Sequence, residues 1–185
     1  AALALGGLSK GVSPYEMTEA YATFPNGGVR VENRVFTKVV DRDGRTILTT
    51  EKKKHKVLDE GVAYIMVTML KSVVNGGTGS NAAISGVEVG GKTGTTSSHY
   101  DIWFAGITPK YAASLWIGTD INIPLTSSSS AAASLWSRIM RNVPNIRKGS
   151  YKAAPSNVVR KNGEFFTKGT EVGIGNNPKD ESEET

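Results

Sequence analysis

The chain has 185 residues, with 22 Lys and Arg against 17 Asp and Glu, two His and no Cys, for a formal net charge of +5. Zero cysteine excludes disulfides, a thiol nucleophile and Cys-ligated zinc, and His55 and His99 lack matching carboxylates, so neither a metal nor another cofactor is expected. No run of about 18 apolar residues occurs, so no spanning helix is expected, and the basic residues lack the interleaved aromatics of a nucleic-acid-binding surface.

In chain order, apolar Ala1-Ala2-Leu3-Ala4-Leu5 opens the sequence with no visible signal-peptide leader. Ser13-Pro14-Tyr15-Glu16 is a capping box with proline at the first helical position, followed by an apolar stripe of Met17, Ala20, Tyr21 and Phe24, and Asn26-Gly27-Gly28 ends that helix. Val35 to Val40 and Thr46 to Thr49 flank Asp43-Gly44, a hairpin signal. Lys52, Lys53, Lys54 and Lys56 read as solvated surface. Asp59 is the expected cap of a second helix, with Val62, Ile65, Met66, Met69, Leu70 and Val73 at core spacing before Asn75-Gly76-Gly77. Three strands are expected next, over Val87 to Thr95, Ile102 to Thr108 and Tyr111 to Gly118, the last two joined by Pro109-Lys110 and so antiparallel. Thr126 to Ser130 reads as a loop before a third helix over Ala131 to Val143, with Ala132, Leu135, Trp136, Ile139 and Met140 inward. Beyond Pro144 periodicity fades, and from Asn176 the acidic tail reads as a disordered linker. The order predicts an α+β arrangement within the α/β class, an antiparallel sheet flanked by helices.

The segment richest in chemistry is Gly91-Lys92-Thr93-Gly94-Thr95-Thr96, left through Asp101-Ile102-Trp103-Phe104-Ala105-Gly106. On a strand, Lys92 and Gly94 share one face while Thr93 and Thr95 share the other, where two hydroxyls can converge on one carboxylate. Gly94 lets a substrate backbone lie close to the strand edge, and the Thr95 amide is free to meet a developing oxyanion. Gly86 to Thr93 also satisfies the phosphate-loop pattern G-x-x-x-x-G-K-[ST], which makes nucleotide binding the alternative reading. A phosphate loop needs a strand before its first glycine and a helix starting at its lysine, and the polar flanks supply neither. Asp101 is expected to pin the turn before Trp103, His99 and Tyr100 to sit near the mouth of the cleft, and Trp103, Phe104 and Trp116 to pack the sheet against helices.

Lys92 to Thr96 with Asp101 to Gly106 resembles the third active-site motif, and the strand after it, of the penicillin-binding protein transpeptidases. Gly11 to Met17 with Ala20 to Gly28, Val74 to Gly79 and Phe165 to Glu171 are similar to stretches of the bifunctional class A members. The resemblance implies the transpeptidase/β-lactamase-like fold, incomplete here, with residues 1–150 forming the C-terminal part of that domain and 151–185 an extension. It implies that Lys92 adds positive charge beside a serine nucleophile, that Thr93 and Thr95 hold a ligand carboxylate with Gly94 and Thr96 beside them, and that the Thr95 amide forms half of an oxyanion hole. These enzymes pair K-T-G with S-x-x-K and a second serine motif. No lysine here has a serine three residues before it and no Ser-x-Asn occurs. The nucleophile is therefore expected upstream of Ala1, together with a glycosyltransferase domain and a membrane anchor, and this chain alone is expected to be inactive. The implied ligands are peptidoglycan stem peptides and β-lactams at the extracytoplasmic face of the bacterial membrane. A DD-carboxypeptidase or β-lactamase would use the same third motif.

Overall fold

Three antiparallel strands form the centre of the computed structural model, which describes residues 6–8 and 10–171. The readings of Ala1 to Leu5 and of the tail from Asn176 fall outside those residues. The central strands are β5 (Gly90–Thr95), β6 (Asp101–Ile107) and β7 (Ala112–Gly118), in spatial order β5-β6-β7. Before them come α1 (Pro14–Ala22), β1 (Val29–Val31), β2 (Lys38–Val40), β3 (Thr46–Thr49), β4 (Lys54–Lys56) and α2 (Glu60–Gly76); after them come α3 (Ser129–Met140), β8 (Val158–Lys161) and β9 (Glu164–Thr167). The expected antiparallel sheet flanked by helices is what the chain forms.

Side-chain alternation along β6 divides the core. Ile102 and Phe104 point to one face, where they meet Ala132, Ala133, Trp136 and Met140 of α3. Ile107 points to the other, against Val67 and Leu70 of α2, with Tyr21 and Phe24 from α1 and the turn after it packed around them. Both helices were expected to bury somewhat different stripes. On α2, Ala63, Val67, Leu70 and Val74 are buried while Val62 and Met69 are exposed; on α3, Ala133 and Ser137 are buried while Leu135 and Ile139 are exposed. The buried stripes keep helical spacing, Ala63, Val67, Leu70 and Val74 on α2 and Ala133, Trp136, Ser137 and Met140 on α3, but sit on a face turned slightly from the expected one.

Local signals act as their chemistry requires. The Ser13 hydroxyl accepts the Glu16 amide while the Glu16 carboxylate accepts the Ser13 amide, closing the capping box of α1. Asp59 caps α2 through the Gly61 amide at 2.8 Å and also accepts Asn157 Nδ2 at 2.8 Å. These two bonds, the Asn157 one foremost, hold its carboxyl below the ordinary Asp value. A depressed folded-state value means the stabilisation is complete above the unfolded carboxylate's range, about pH 4, and fades as pH falls through the lower folded value. Asp59→Ala is therefore expected to lower the melting temperature clearly at about pH 7 and much less near pH 2, read by circular-dichroism melts.

One expected strand is shorter than its alternation suggests, and two further stretches contain strands that were not expected. Val87 to Val89 alternate like a strand, but Gly86 has φ +74° and closes a turn in which the Val87 amide donates to Ile84 O, so β5 begins at Gly90. The lysine-rich surface contains a strand, β4, paired with β1 through Val29–Lys56, Arg30–His55 and Val31–Lys54. Within the expected extension, β8 and β9 form a hairpin across Asn162-Gly163, both at positive φ, and Phe165 packs edge-on against Tyr64 of α2. Upstream of it, Tyr151 joins the Val67 and Leu70 cluster, and Lys71 pairs with Glu88 at 2.5 Å just before β5.

Candidate active site

Among the described residues β5 is an edge strand, and its hydrogen-bond phase decides which of its backbone groups point outward. The Thr96 amide donates to Asp101 O at 3.1 Å, and on the other side of β6 the Thr108 amide donates to Tyr111 O at 2.7 Å. Bonded and non-bonded pairs alternate in an antiparallel ladder, so both observations independently assign Lys92–Ala105 and Gly94–Trp103 to bonded pairs. The N–H and C=O of Thr93 and Thr95 consequently point away from β6. The Lys92 ammonium confirms this phase by donating to Thr93 O on the free edge at 2.9 Å. The edge thus offers two amides, two carbonyls and one cation.

The predicted residues fall into distinct environments. Lys92 and Thr95 are exposed, and Gly94 is half-buried. A Cβ added at Gly94 would meet only Trp103 Cβ at an ordinary 3.4 Å, so packing does not require glycine there. Gly91 is the opposite case. A Cβ on it would lie 2.4 Å from Phe104 Cζ and 2.8 Å from Ala105 O.

Thr93 shares a face of β5 with Thr95 but is the more buried of the two. It is 9% exposed, and its Oγ1 lies 2.8 Å from Oγ1 of Thr78 on the turn after α2. Thr96 serves the β5–β6 connection: its hydroxyl accepts the amides of Tyr100 and Asp101, each at 3.1 Å. Asp101 fixes a tryptophan rather than the turn alone, its Oδ1 accepting Trp116 Nε1 at 2.8 Å. Trp116 was expected to pack beneath a helix; it is 37% exposed, its indole lying along the strand over Gly118. His99 sits at φ +55° in the same connection, with its carbonyl held by the Leu125 amide. His55 lies outside this sheet, in the two-stranded β1–β4 pair, with its Nε2 2.9 Å from Glu32 Oε1.

The phosphate-loop alternative does not survive this geometry. Lys92 and Thr93 lie in mid-strand, no helix begins at either, and Gly86 belongs to a tight turn. A helix N-terminus, which would hold the phosphates, is missing from the place where the pattern requires it.

Thr78 went unnoticed in the sequence as a site residue. The signal for it is Gly77-Thr78-Gly79, a lone hydroxyl between two glycines just past a helix end, but its pairing with a residue 15 positions on depends on how the turn folds back.

Residues 1–141 match the penicillin-binding protein transpeptidase domain family. Over 143 residues the chain is 43% identical to penicillin-binding protein 1A of Clostridium botulinum, covering 76% of this chain and 17% of that protein. It is 34% identical over 165 residues to penicillin-binding protein 1A of Neisseria gonorrhoeae, covering 84% and 21%. Its fold superposes on the crystal structure of penicillin-binding protein 1A from Haemophilus influenzae with TM-score 0.78 at 23% identity, covering 91% of this chain and 33% of that one. The chain therefore spans 17–21% of the length of these two curated relatives.

Proposed function

We propose that this chain, which belongs to the penicillin-binding protein transpeptidase family, contributes the carboxylate-binding and oxyanion-stabilising edge of a serine DD-transpeptidase that cross-links peptidoglycan. In this reading a serine outside the chain attacks the carbonyl of a D-Ala-D-Ala terminus, D-alanine leaves, and the amine of a neighbouring stem resolves the acyl-enzyme. β-Lactams acylate the same serine. Lys92 places positive charge beside the serine, Thr93 and Thr95 bind the ligand carboxylate with Gly94 and Thr96 beside it, and the Thr95 N–H faces the developing oxyanion. The setting is the extracytoplasmic face of the bacterial membrane, with the anchor and the S-x-x-K and S-x-N motifs on other parts of the enzyme.

The supporting observation is the free edge of β5. An extended peptide can pair with the outward groups of Thr93 and Thr95 as an added strand, and Gly94 puts no side chain in its path. A preorganised backbone donor of this kind typically lowers an acyl-transfer barrier by about 2.7–4 kcal/mol. Among the described residues no helix is long and apolar enough to cross a membrane, so the proposed anchor is assigned to no described helix.

Fluorescent penicillin is expected to label the complete enzyme covalently on a serine outside this chain, with competition by a peptide ending in D-Ala-D-Ala, and to leave the isolated 185-residue chain unlabelled. A complete enzyme that takes no label but is retained on ATP-agarose in the presence of magnesium overturns the reading.

A further inference from the structure

We infer that Thr78 is a positioning residue for the carboxylate subsite: its hydroxyl donates to Thr93 Oγ1 and so leaves the single Thr93 proton for the ligand carboxylate. The inference rests on the reading above that β5 binds a carboxylate.

The turn that carries Thr78 is built for fixed placement. The amides of Gly77 and Gly79 both donate to Val73 O, at 3.1 and 3.0 Å, and the Ser80 amide donates to Gly77 O at 3.3 Å. Thr78 is thereby held between two bonds to one carbonyl in the last turn of α2. Side chains at the flanking positions would disturb this wrap. A Cβ on Gly77 would lie 2.9 Å from Val73 O, and one on Gly79 would lie 3.1 Å from Val73 Cγ1 and 3.3 Å from a Phe104 ring carbon. Phe104 pairs with Thr93 across β5 and β6, so the same ring braces the turn and lies beside the strand it serves.

Proton counting assigns the direction. A hydroxyl has one proton and two acceptor sites, and a carboxylate only accepts. The Thr78–Thr93 separation of 2.8 Å is that of a good O–H···O bond, which uses one of the two protons. If Thr93 donates to Thr78, it has nothing left for a carboxylate at the β5 edge. If Thr78 donates, the Thr93 proton is free, and its oxygen is polarised by the bond it accepts, which strengthens the bond it gives. Thr93 is almost wholly buried and has little water to reorganise, whereas Thr78 stands exposed and can rotate its proton toward Thr93.

The test uses the complete enzyme and acylation by benzylpenicillin or by its neutral methyl ester. Thr78→Val is expected to slow acylation by benzylpenicillin about fivefold to tenfold, the range of one neutral hydrogen bond, with the loss in binding rather than in the acylation step. Thr78→Ser should restore the rate to within about twofold, and the methyl ester should not distinguish the variants, because it carries no negative charge to order the pair. In a Thr93→Val background, Thr78→Val should add nothing further. Equal losses with acid and ester, or a full Thr78 effect in the Thr93→Val background, overturn the inference by assigning Thr78 a general structural role or its own ligand contact. If Thr95→Val and Thr93→Val slow acylation but Thr78→Val does not, the inference fails while the carboxylate site stands. If none of the three matters, the carboxylate reading itself fails.

Discussion

Lys92→Ala in the complete enzyme is expected to slow acylation by benzylpenicillin about a hundredfold, the largest loss available from a single side chain of this chain. The magnitude follows from charge. A hydrogen bond to an ionised group contributes about 1.5–3 kcal/mol, or roughly 10- to 150-fold in rate when it is made in the transition state. Lys92 is the cation of the β5 edge, and its ammonium already reaches the outward Thr93 carbonyl, a short distance from where a peptide would pair. Thr95→Val is expected to cost less, about tenfold, because valine keeps the outward backbone N–H and removes only the hydroxyl. The two losses should separate by ligand. With the methyl ester of benzylpenicillin the Thr95→Val effect should shrink toward nothing, since the carboxylate is gone, while the Lys92→Ala effect should persist if the lysine acts on the serine. Time courses of fluorescent labelling with unlabelled competitor give both numbers. A Lys92→Ala, Thr95→Val double variant that labels at the parent rate would refute the assigned site.

Which parts of this molecule can be read from its sequence depends on the range over which the deciding contact acts. Ser13 with Glu16, Asp59 with Gly61, and the Pro109-Lys110 turn are settled within a few residues, and each appears in the fold where its chemistry places it. The Asn162-Gly163 hairpin was equally local, with Val158-Val159 before it and Phe165-Phe166 after it, yet the surrounding loss of helical periodicity masked a two-residue turn signal. Val87 to Val89 misled in the other direction, because alternation without a partner strand does not make a sheet and Gly86 turned the chain first. Which helix face is buried depends on where the sheet comes close, not on side-chain size. Leu70 packs beside Gly90, where a missing side chain lets the helix come close, whereas Met69 and Val62 are large but face outward. At the site, the extended lysine-threonine segment was legible as a strand edge, but the retreat of Thr93 into contact with Thr78 was not. That contact is made by a turn folding back on β5, and nothing in the spacing of the two threonines announces it.

The second large effect concerns what holds β5 in place. Trp136 is 1% exposed, meets Phe104 edge-on at 5.2 Å between ring centres, and donates its indole N–H to Ala113 O at 2.9 Å. Gly106 lies beneath that indole so closely that an added Cβ would stand 2.5 Å from it. Trp136→Ala is therefore expected to destabilise the domain by about 3–5 kcal/mol, a large part of the 5–15 kcal/mol typical of a folded domain. Gly91→Ala acts on the same layer, since Gly91 is the cross-strand partner of Gly106. Its Cβ collides with the Phe104 ring, which Trp136 prevents from moving, and with Ala105 O, which belongs to the β6 backbone. The relief must come from β5 itself. Overpacking of this kind costs about 1–3 kcal/mol, less than the loss of Trp136, but the strain is released in the strand bearing Lys92 and Thr95. The two variants should thus rank oppositely in two measurements. Urea unfolding of the complete enzyme's transpeptidase domain should show Trp136→Ala as the less stable, while the labelling rate per folded molecule should fall further in Gly91→Ala, because displaced β5 donors no longer meet the ligand. If Gly91→Ala labels at the parent rate once corrected for folded fraction, β5 does not set the geometry of acylation.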